Sequence, residues 1–125
     1  MNLTALHAHL LSHPGAIEDR PFGPETPVYK VGGKMFAYVS PRRSPSWLTL
    51  KLDPMMGQLA RSTYPSVHAG YHMNKEHWNT IILDGSVPDV AIMVWIDESY
   101  ELVVAGLTNA QRARLLDDAR GGAED

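Results

Sequence analysis

The sequence predicts a single α+β domain in which one antiparallel sheet carries helices from both ends of the chain on one face. Strand-like alternation of apolar and polar residues fills the middle of the chain, whereas both ends show the apolar spacing of helices. The strand segments follow each other too closely for parallel crossovers, which need about a dozen or more residues. A chain of 125 residues, 44% of them hydrophobic and none cysteine, fits one domain without disulfides or metal–thiolate sites.

The N-terminal residues predict a helix that Pro14-Gly15 ends, with Asn2 or Thr4 as its cap. A short edge strand is expected near residues 16–20, before a proline-rich loop. The apolar face of the helix is a set of leucines at helical spacing: Leu3, Leu6, Leu10 and Leu11.

The clearest hairpin joins residues 28–31 to residues 34–39 through Gly32-Gly33. A two-residue primed turn needs positive φ at both central positions, which glycine provides. Such a turn places Tyr29 opposite Phe36.

Two more strands are predicted, at residues 47–52 and 78–83. Asp53 followed by Pro54 is typical of a capped helix start, so a short helix is expected to run to about residue 61. Residues 63–75 show no regular pattern.

The last third of the chain predicts two helices. Ser86 to Asp89 and Thr108 to Gln111 both have capping-box spacing, and the second helix is expected to end near Asp118. The domain then covers residues 1–119, with 120–125 as a frayed tail. The apolar stripe of the long helix comprises Ile92, Met93, Ile96, Tyr100, Val103, Val104 and Leu107.

The net charge of −3 conceals a strong asymmetry along the chain. Residues 26–75 carry seven lysines and arginines against Asp53 alone, whereas residues 76–125 carry three arginines against ten acids. A basic middle segment favours an anionic partner. The alternative is that these charges are solvated or pair with the acidic half across the fold.

Two strands combine aromatic side chains with lysine on one predicted face. These triplets are Lys34, Phe36 and Tyr38 on one strand and Trp47, Thr49 and Lys51 on another. Aromatic rings on a sheet surface can stack with bases, since every base presents a π-face. The alternative is that these aromatic side chains belong to the core.

Five segments, in this order, carry a family resemblance: Pro21–Gly23, Tyr29–Ala37, Leu50–Pro54, Gly70–Thr80 and Ser99–Val103. In them the chain resembles the MmcQ/YjbR-like family over about residues 20–105. The resemblance implies a frataxin-like (CyaY-like) fold. It also implies DNA binding, because members are commonly labelled so from a "double-wing" likeness.

The resemblance and the charge pattern together lead to the hypothesis of a DNA-binding protein that uses a basic sheet and wing surface. A pI near 6.0 and the absence of a recognition helix rich in Arg, Asn or Gln argue against it. On this hypothesis the expected partner is DNA, and no small-molecule ligand is predicted. The protein is expected to be a monomer or a weak homodimer. The residues assigned to nucleic-acid binding are Lys30, Lys34, Arg42, Arg43, Lys51, Lys75, His77 and Asn79.

Other functions have weaker support in the sequence. No nucleophile elbow, phosphate loop or dinucleotide fingerprint is present, so no catalytic residue and no cofactor are assigned. His68 and His72 are four residues apart, with His77 nearby, but Gly70 and its neighbours argue against the helix that such a metal site needs. His7, His9 and His13 are expected to point in different directions, so no metal site is predicted.

Two alternatives to DNA binding remain open. One is a protein-interaction or metal-handling role for the acidic helix around Asp97–Glu101, and the other is a small-molecule or enzymatic site at His72–Asn79. No apolar run approaches the length of a membrane span, and the N-terminus lacks a basic signal region. The sequence therefore leads us to expect a cytoplasmic protein with no membrane partner.

Overall fold

The structure, a computed structural model, describes residues 1–40, 44–70 and 74–124. Its elements, in chain order, are α1 (Leu3–Leu11), β1 (Ile17–Asp19), β2 (Val28–Val31), β3 (Lys34–Ser40), β4 (Trp47–Lys51), α2 (Pro54–Thr63), β5 (Val67–Ala69), β6 (Trp78–Ile82), α3 (Asp89–Ala105) and α4 (Asn109–Glu124). The predicted irregular stretch after α2 thus contains the short strand β5.

The six strands form one antiparallel sheet in the order β1-β2-β3-β4-β6-β5. Side chains from α1, α2 and α3 pack into one core with strand residues from a single face of the sheet, and α4 adds Leu115 at its margin. The predicted α+β class, with helices on one face of an antiparallel sheet, is confirmed.

The pairing register separates the two faces of the sheet, because directly paired residues point the same way. The helix-side face carries Ala37, Leu50 and Asn79 in one row and Val39, Leu48 and Ile81 in the next. We call the opposite side the open face. In the described part of the chain, its side chains are absent from the core cluster. The open face includes Lys30, Tyr38, Trp47, Thr49, Lys51, His68, Trp78 and Thr80.

The predicted hairpin is confirmed, with Gly32 and Gly33 at φ of 58° and 79°. The predicted register is wrong beyond the first two pairs, since a β-bulge places Tyr29 opposite Ala37 rather than Phe36. The extra residue rotates the rest of β3 by one position. As a result Phe36 is fully buried on the helix side and Tyr38 lies on the open face.

Ser99 of α3 completes the hydrogen bonding at this bulge. Its hydroxyl donates to the Phe36 carbonyl at 2.5 Å and accepts from the Lys51 amide at 2.9 Å. The side chain is fully buried, and both backbone groups belong to strands that α3 crosses. Ser99 therefore fixes the position of α3 over β3 and β4.

Three of the four predicted helix starts are confirmed. The Asn2 side-chain oxygen accepts from the Ala5 amide at 2.7 Å and caps α1. The Asp53 carboxylate accepts from the amides of Met55 and Met56, and Thr108 and Gln111 bond reciprocally as a capping box. The fourth predicted start is wrong, because Pro88 occupies the cap position of α3 without a side-chain bond. Ser86 instead bonds Asp84 and Ser66.

The C-terminal helix is longer than predicted. α4 continues to Glu124, beyond the expected end near Asp118 and through the segment expected to fray. In α3, Ile92, Ile96 and Tyr100 of the predicted stripe are buried, but Met93 is 37% exposed. Trp95, which the stripe omitted, is buried in its place.

Candidate nucleic-acid interface

The open face presents three aromatic side chains around a pair of threonines. Thr49 and Thr80 lie opposite each other in the centre, with their hydroxyl oxygens 3.0 Å apart. Trp47 lies two residues from Thr49 on β4, and Trp78 lies two residues from Thr80 on β6. Tyr38 pairs with Thr49 from β3.

The spacing of these rings suits an extended polymer. Trp47 and Trp78 stand on neighbouring strands, four positions apart in register. Strand geometry therefore separates them by roughly 14 Å. All three aromatic side chains are half-buried, so packing within the sheet holds them while part of each remains accessible.

The same face carries Lys51, paired in register with Trp78, and Lys30 on β2. The Lys30 ammonium lies 2.8 Å from the Asp19 carboxylate, and its hydrogen bond holds the pKa of that carboxyl below its usual value. In the described ranges Lys51 forms no salt bridge. Lys51 can therefore pair with an anionic ligand on this face.

The other predicted binding residues are scattered. Lys34 lies at the hairpin tip and pairs with Val31, a helix-side residue, whereas Lys75 and His77 lie in the turn before β6. Arg42 and Arg43 lie outside the described residues. Among the predicted binding residues that the structure describes, Lys30 and Lys51 are the ones that lie on the open face.

Asn79 is fully buried on the helix side of β6, so the prediction that its side chain contacts nucleic acid is wrong. Its side-chain oxygen accepts a hydrogen bond from the Arg61 guanidinium, and its amide donates to the His77 carbonyl at 3.3 Å. A side chain at Gly57 would come within 3.0 Å of this amide. Asn79 and Arg61 therefore join α2 to β6.

The acids of α3 lie in the helical layer and do not neutralise the lysines of the open face. Asp97 lies against His9 and His13, and Asp89 pairs with the N-terminal amine of Met1. Of the open-face lysines, Lys30 pairs with Asp19 rather than with any acid of α3. In the described residues, the acids of α3 and the lysines Lys30 and Lys51 therefore lie on opposite sides of the sheet.

A groove of about 790 Å³ between α2 and α3 forms a second surface. Its floor is apolar, with Met55 80% exposed, Leu59 59% and Val94 47%. Asp53, Asp97, Glu98 and Glu101 also line it. Partial burial, with a smaller contribution from the Asp53 charge, raises the pKa of Glu98.

A third cavity, of about 530 Å³, lies between α1 and β2. The Tyr29 hydroxyl lies 2.8 Å from Nδ1 of His7, and burial raises the pKa of Tyr29 to about 12. A phenol with so high a pKa stays neutral and does not serve as a base near pH 7. The alternative site at His72–Asn79 extends beyond the described residues, since 71–73 are not among them.

Across the described ranges, none of the helices combines the length and the apolar character needed to cross a lipid bilayer.

The fold and its surfaces define an α+β domain with one helix-covered and one open sheet face, and comparison with known proteins assigns it to a family. The YjbR family model matches residues 11–102, so the chain belongs to the YjbR family. It is 31% identical over 116 residues to the uncharacterised protein YjbR of Escherichia coli K12, covering 93% of this chain and 98% of that protein. It is 39% identical over 95 residues to the uncharacterised protein YbdF of Escherichia coli O157:H7, covering 76% and 78% respectively.

Solved structures share the fold. The Deinococcus radiodurans protein DR2400 superposes with a TM-score of 0.85 at 38% identity, covering 91% of this chain and 87% of that one. A Pseudomonas syringae protein superposes with a TM-score of 0.70 at 25% identity, covering 82% and 98%. None of these names states a ligand or an activity.

Proposed function

We propose that this protein binds single-stranded nucleic acid on the open face of its sheet. The observation that carries the proposal is the arrangement of Tyr38, Trp47 and Trp78 beside Lys51 on a face outside the helix-side core. Proteins that bind single strands combine aromatic rings, on which bases stack, with cations that follow the backbone.

The distribution of charge supports the same surface. The acids of α3 belong to the other layer, and Asp19 is the one acid among the open-face strand residues described. A phosphate backbone would therefore approach the side of the molecule where Lys30 and Lys51 lie. The overall acidity of the chain limits the affinity, which falls as salt screens the lysines.

The shape of the site favours single-stranded nucleic acid over a duplex. The open face offers partly exposed aromatic side chains on a sheet, and none of the described helices projects from it to enter a major groove. Stacking requires unpaired bases, and each stacked base contributes about 1–3 kcal/mol.

The test is fluorescence anisotropy of a labelled eight-nucleotide oligo-dT and of a duplex of equal length, from low to moderate salt. We expect the single strand to bind more tightly than the duplex, with log affinity falling linearly in log salt. Lys51→Ala should weaken binding and lower the salt slope by roughly 0.7, the value for one single-strand phosphate.

Arg114→Ala is the matched control, because it removes one positive charge from an exposed position on α4. The two variants have equal net charge, so a general electrostatic effect would weaken both. Equal loss in both variants, or no binding at low salt, would contradict the proposal.

The α2–α3 groove supports a second candidate function, the docking of a basic amphipathic helix. An apolar floor with exposed methionine and leucine fits the apolar face of such a helix. The surrounding carboxylates complement lysines on its polar face.

Calorimetry with a synthetic amphipathic peptide, lysine on one face and leucine on the other, tests this candidate. We expect Leu59→Glu to abolish binding and Glu101→Gln to weaken it, whereas Arg114→Ala leaves it unchanged. Equal affinity for a scrambled peptide of the same composition would show that charge alone is recognised and would rule the groove out.

A further inference from the structure

We propose that His9, His13 and Asp97 form a binding site for one divalent transition-metal ion of the zinc type. The Nε2 atoms of His9 and His13 lie 2.9 Å and 2.7 Å from the same oxygen, Oδ1 of Asp97. The three ligand atoms all lie within 4.8 Å of one another. The sequence-based expectation that these histidines diverge is therefore wrong for His9 and His13.

The hydrogen bonds of His13 identify its ligand atom. Its Nδ1 lies 3.2 Å from the Leu10 carbonyl, an acceptor that only an N–H can satisfy. A neutral imidazole has one N–H proton, and in His13 the hydrogen bond to the Leu10 carbonyl uses it. The Nε2 atom then carries a lone pair that faces the Asp97 carboxylate. Two lone pairs facing each other at 2.7 Å repel unless a cation, either a proton or a metal ion, lies between them.

The bond from Nδ1 to the carbonyl is also a feature of metal-binding histidines. Such residues commonly donate their other ring N–H to a backbone carbonyl or carboxylate, which fixes the tautomer and the ring orientation. His13 has this arrangement, and it lies just beyond the C-terminal end of α1.

The packing around His13 holds the ring in place. Its ring centroid lies 4.8 Å from that of Tyr100 and 5.9 Å from that of Phe36, and its side chain is only 11% exposed. The Tyr100 hydroxyl donates to the Pro14 carbonyl at 2.6 Å, which anchors the segment that carries His13. A preorganised ligand of this kind loses little conformational entropy on binding.

The ligand set selects the class of ion. Two imidazoles and one carboxylate suit zinc and its first-row neighbours, whereas magnesium and calcium prefer oxygen ligands throughout. Bond lengths of about 2.0–2.1 Å require the Asp97 oxygen to retreat by roughly 0.5 Å, so that tetrahedral ligand atoms stand about 3.3 Å apart. The Asp97 side chain is 54% exposed, which gives it room to move and leaves the fourth position open to water.

A bound ion would link elements that are distant in the sequence. His9 is on α1 and Asp97 on α3, 88 residues away. The ion would fasten the N-terminal helix to the central helix, and binding would raise the stability of the whole domain.

The test is calorimetric titration of the tag-free full chain with zinc chloride, followed by thermal unfolding with and without zinc. We expect one zinc ion per chain and an increase in Tm of roughly 8 °C at a free zinc concentration 100 times Kd. His9→Gln and Asp97→Asn should each lower the affinity by roughly tenfold or more. Substituting cobalt(II) should give the visible absorption of a tetrahedral site, lost in the same variants.

Two control variants isolate the site. His7→Gln changes a histidine of the same helix whose Nδ1 lies against Tyr29 instead, and Asp117→Asn removes an exposed carboxylate from α4. Both should bind zinc as the unaltered chain does. The proposal is overturned if the chain binds no zinc, or if Asp97→Asn binds zinc with unchanged affinity.

Discussion

Individual residues set the local strength of the fold, and the cluster of Ser66, Asp84 and Ser86 is a clear case. The Asp84 carboxylate accepts from the Ser66 hydroxyl at 2.8 Å and from the Ser86 amide and hydroxyl at 2.9 Å and 2.6 Å. These donors, with the Ser86 hydroxyl contributing most, lower the pKa of Asp84 to about 2. The ionised carboxylate therefore stabilises the turn between β6 and α3.

The pKa shift predicts how an isosteric variant responds to pH. Because the folded-state pKa of Asp84 is lower than its ordinary value of 3.8, its contribution is complete above that value and disappears as pH falls towards 2. Asp84→Asn should therefore lower the urea midpoint at pH 7, and the gap to the unaltered chain should narrow between pH 4 and pH 2. Asp117→Asn, on exposed α4, is the control and should leave the midpoint unchanged. A gap of the same size at pH 7 and pH 2.5 would mean that charge is not responsible.

At the residue scale the sequence was a weak guide to position. Asn79 is polar and lies where a loop enters a strand, a pattern that predicts an exposed side chain. It is buried because it bonds Arg61, which lies 18 residues earlier on another element. The convergence of His9 and His13 on Asp97 likewise depends on tertiary packing. The spacing of four between the two histidines was visible, but the third ligand was not.

At the scale of elements, one buried hydroxyl, that of Ser99, adds direct hydrogen bonds between α3 and the sheet backbone to the apolar packing of the helix. Ser99→Ala would leave the Phe36 carbonyl and the Lys51 amide without their partner in a site closed to water. Each unsatisfied group costs about 1–3 kcal/mol, so the free energy of unfolding should fall by about 2–6 kcal/mol.

Urea denaturation measures that loss, and Ser62→Ala is its matched control. The Ser62 hydroxyl bonds the Leu59 carbonyl within an exposed part of α2, so its removal should change the free energy of unfolding by less than about 0.5 kcal/mol. Comparable losses in the two variants would show that the bulge does not depend on Ser99.

Local signals identified most elements but not their irregularities. Gly32-Gly33 predicted the hairpin because its backbone angles are open to few other residues, and Asp53-Pro54 predicted a helix start for the same local reason. The Phe36 carbonyl at the bulge bonds Ser99, 63 residues away, and such a long-range contact leaves no sign in the alternation of β3. Ser86 failed as a cap because Asp84 and Ser66 compete for its hydroxyl.

At the scale of the whole molecule, the two layers have different surfaces. The helical layer carries the acids of α3 and the His9–His13–Asp97 cluster, whereas the open face carries aromatic side chains with Lys30 and Lys51. The fold class could be predicted because element spacing and periodicity determine it. The sequence could not predict which aromatic residues belong to the core, because the bulge determines that Phe36 is buried and that Tyr38 lies on the open face.

The central claim, that the open face binds single-stranded nucleic acid, is tested most directly by the three tryptophan indole N–H signals in a ¹⁵N–¹H NMR titration with eight-nucleotide oligo-dT. Trp47 and Trp78 lie on the open face, whereas Trp95 is 6% exposed in the helix-side core and serves as an internal control. The account predicts that the Trp47 and Trp78 signals shift progressively while the Trp95 signal stays in place. Shifts confined to Trp95, or no shift at low salt in any of the three, would contradict it.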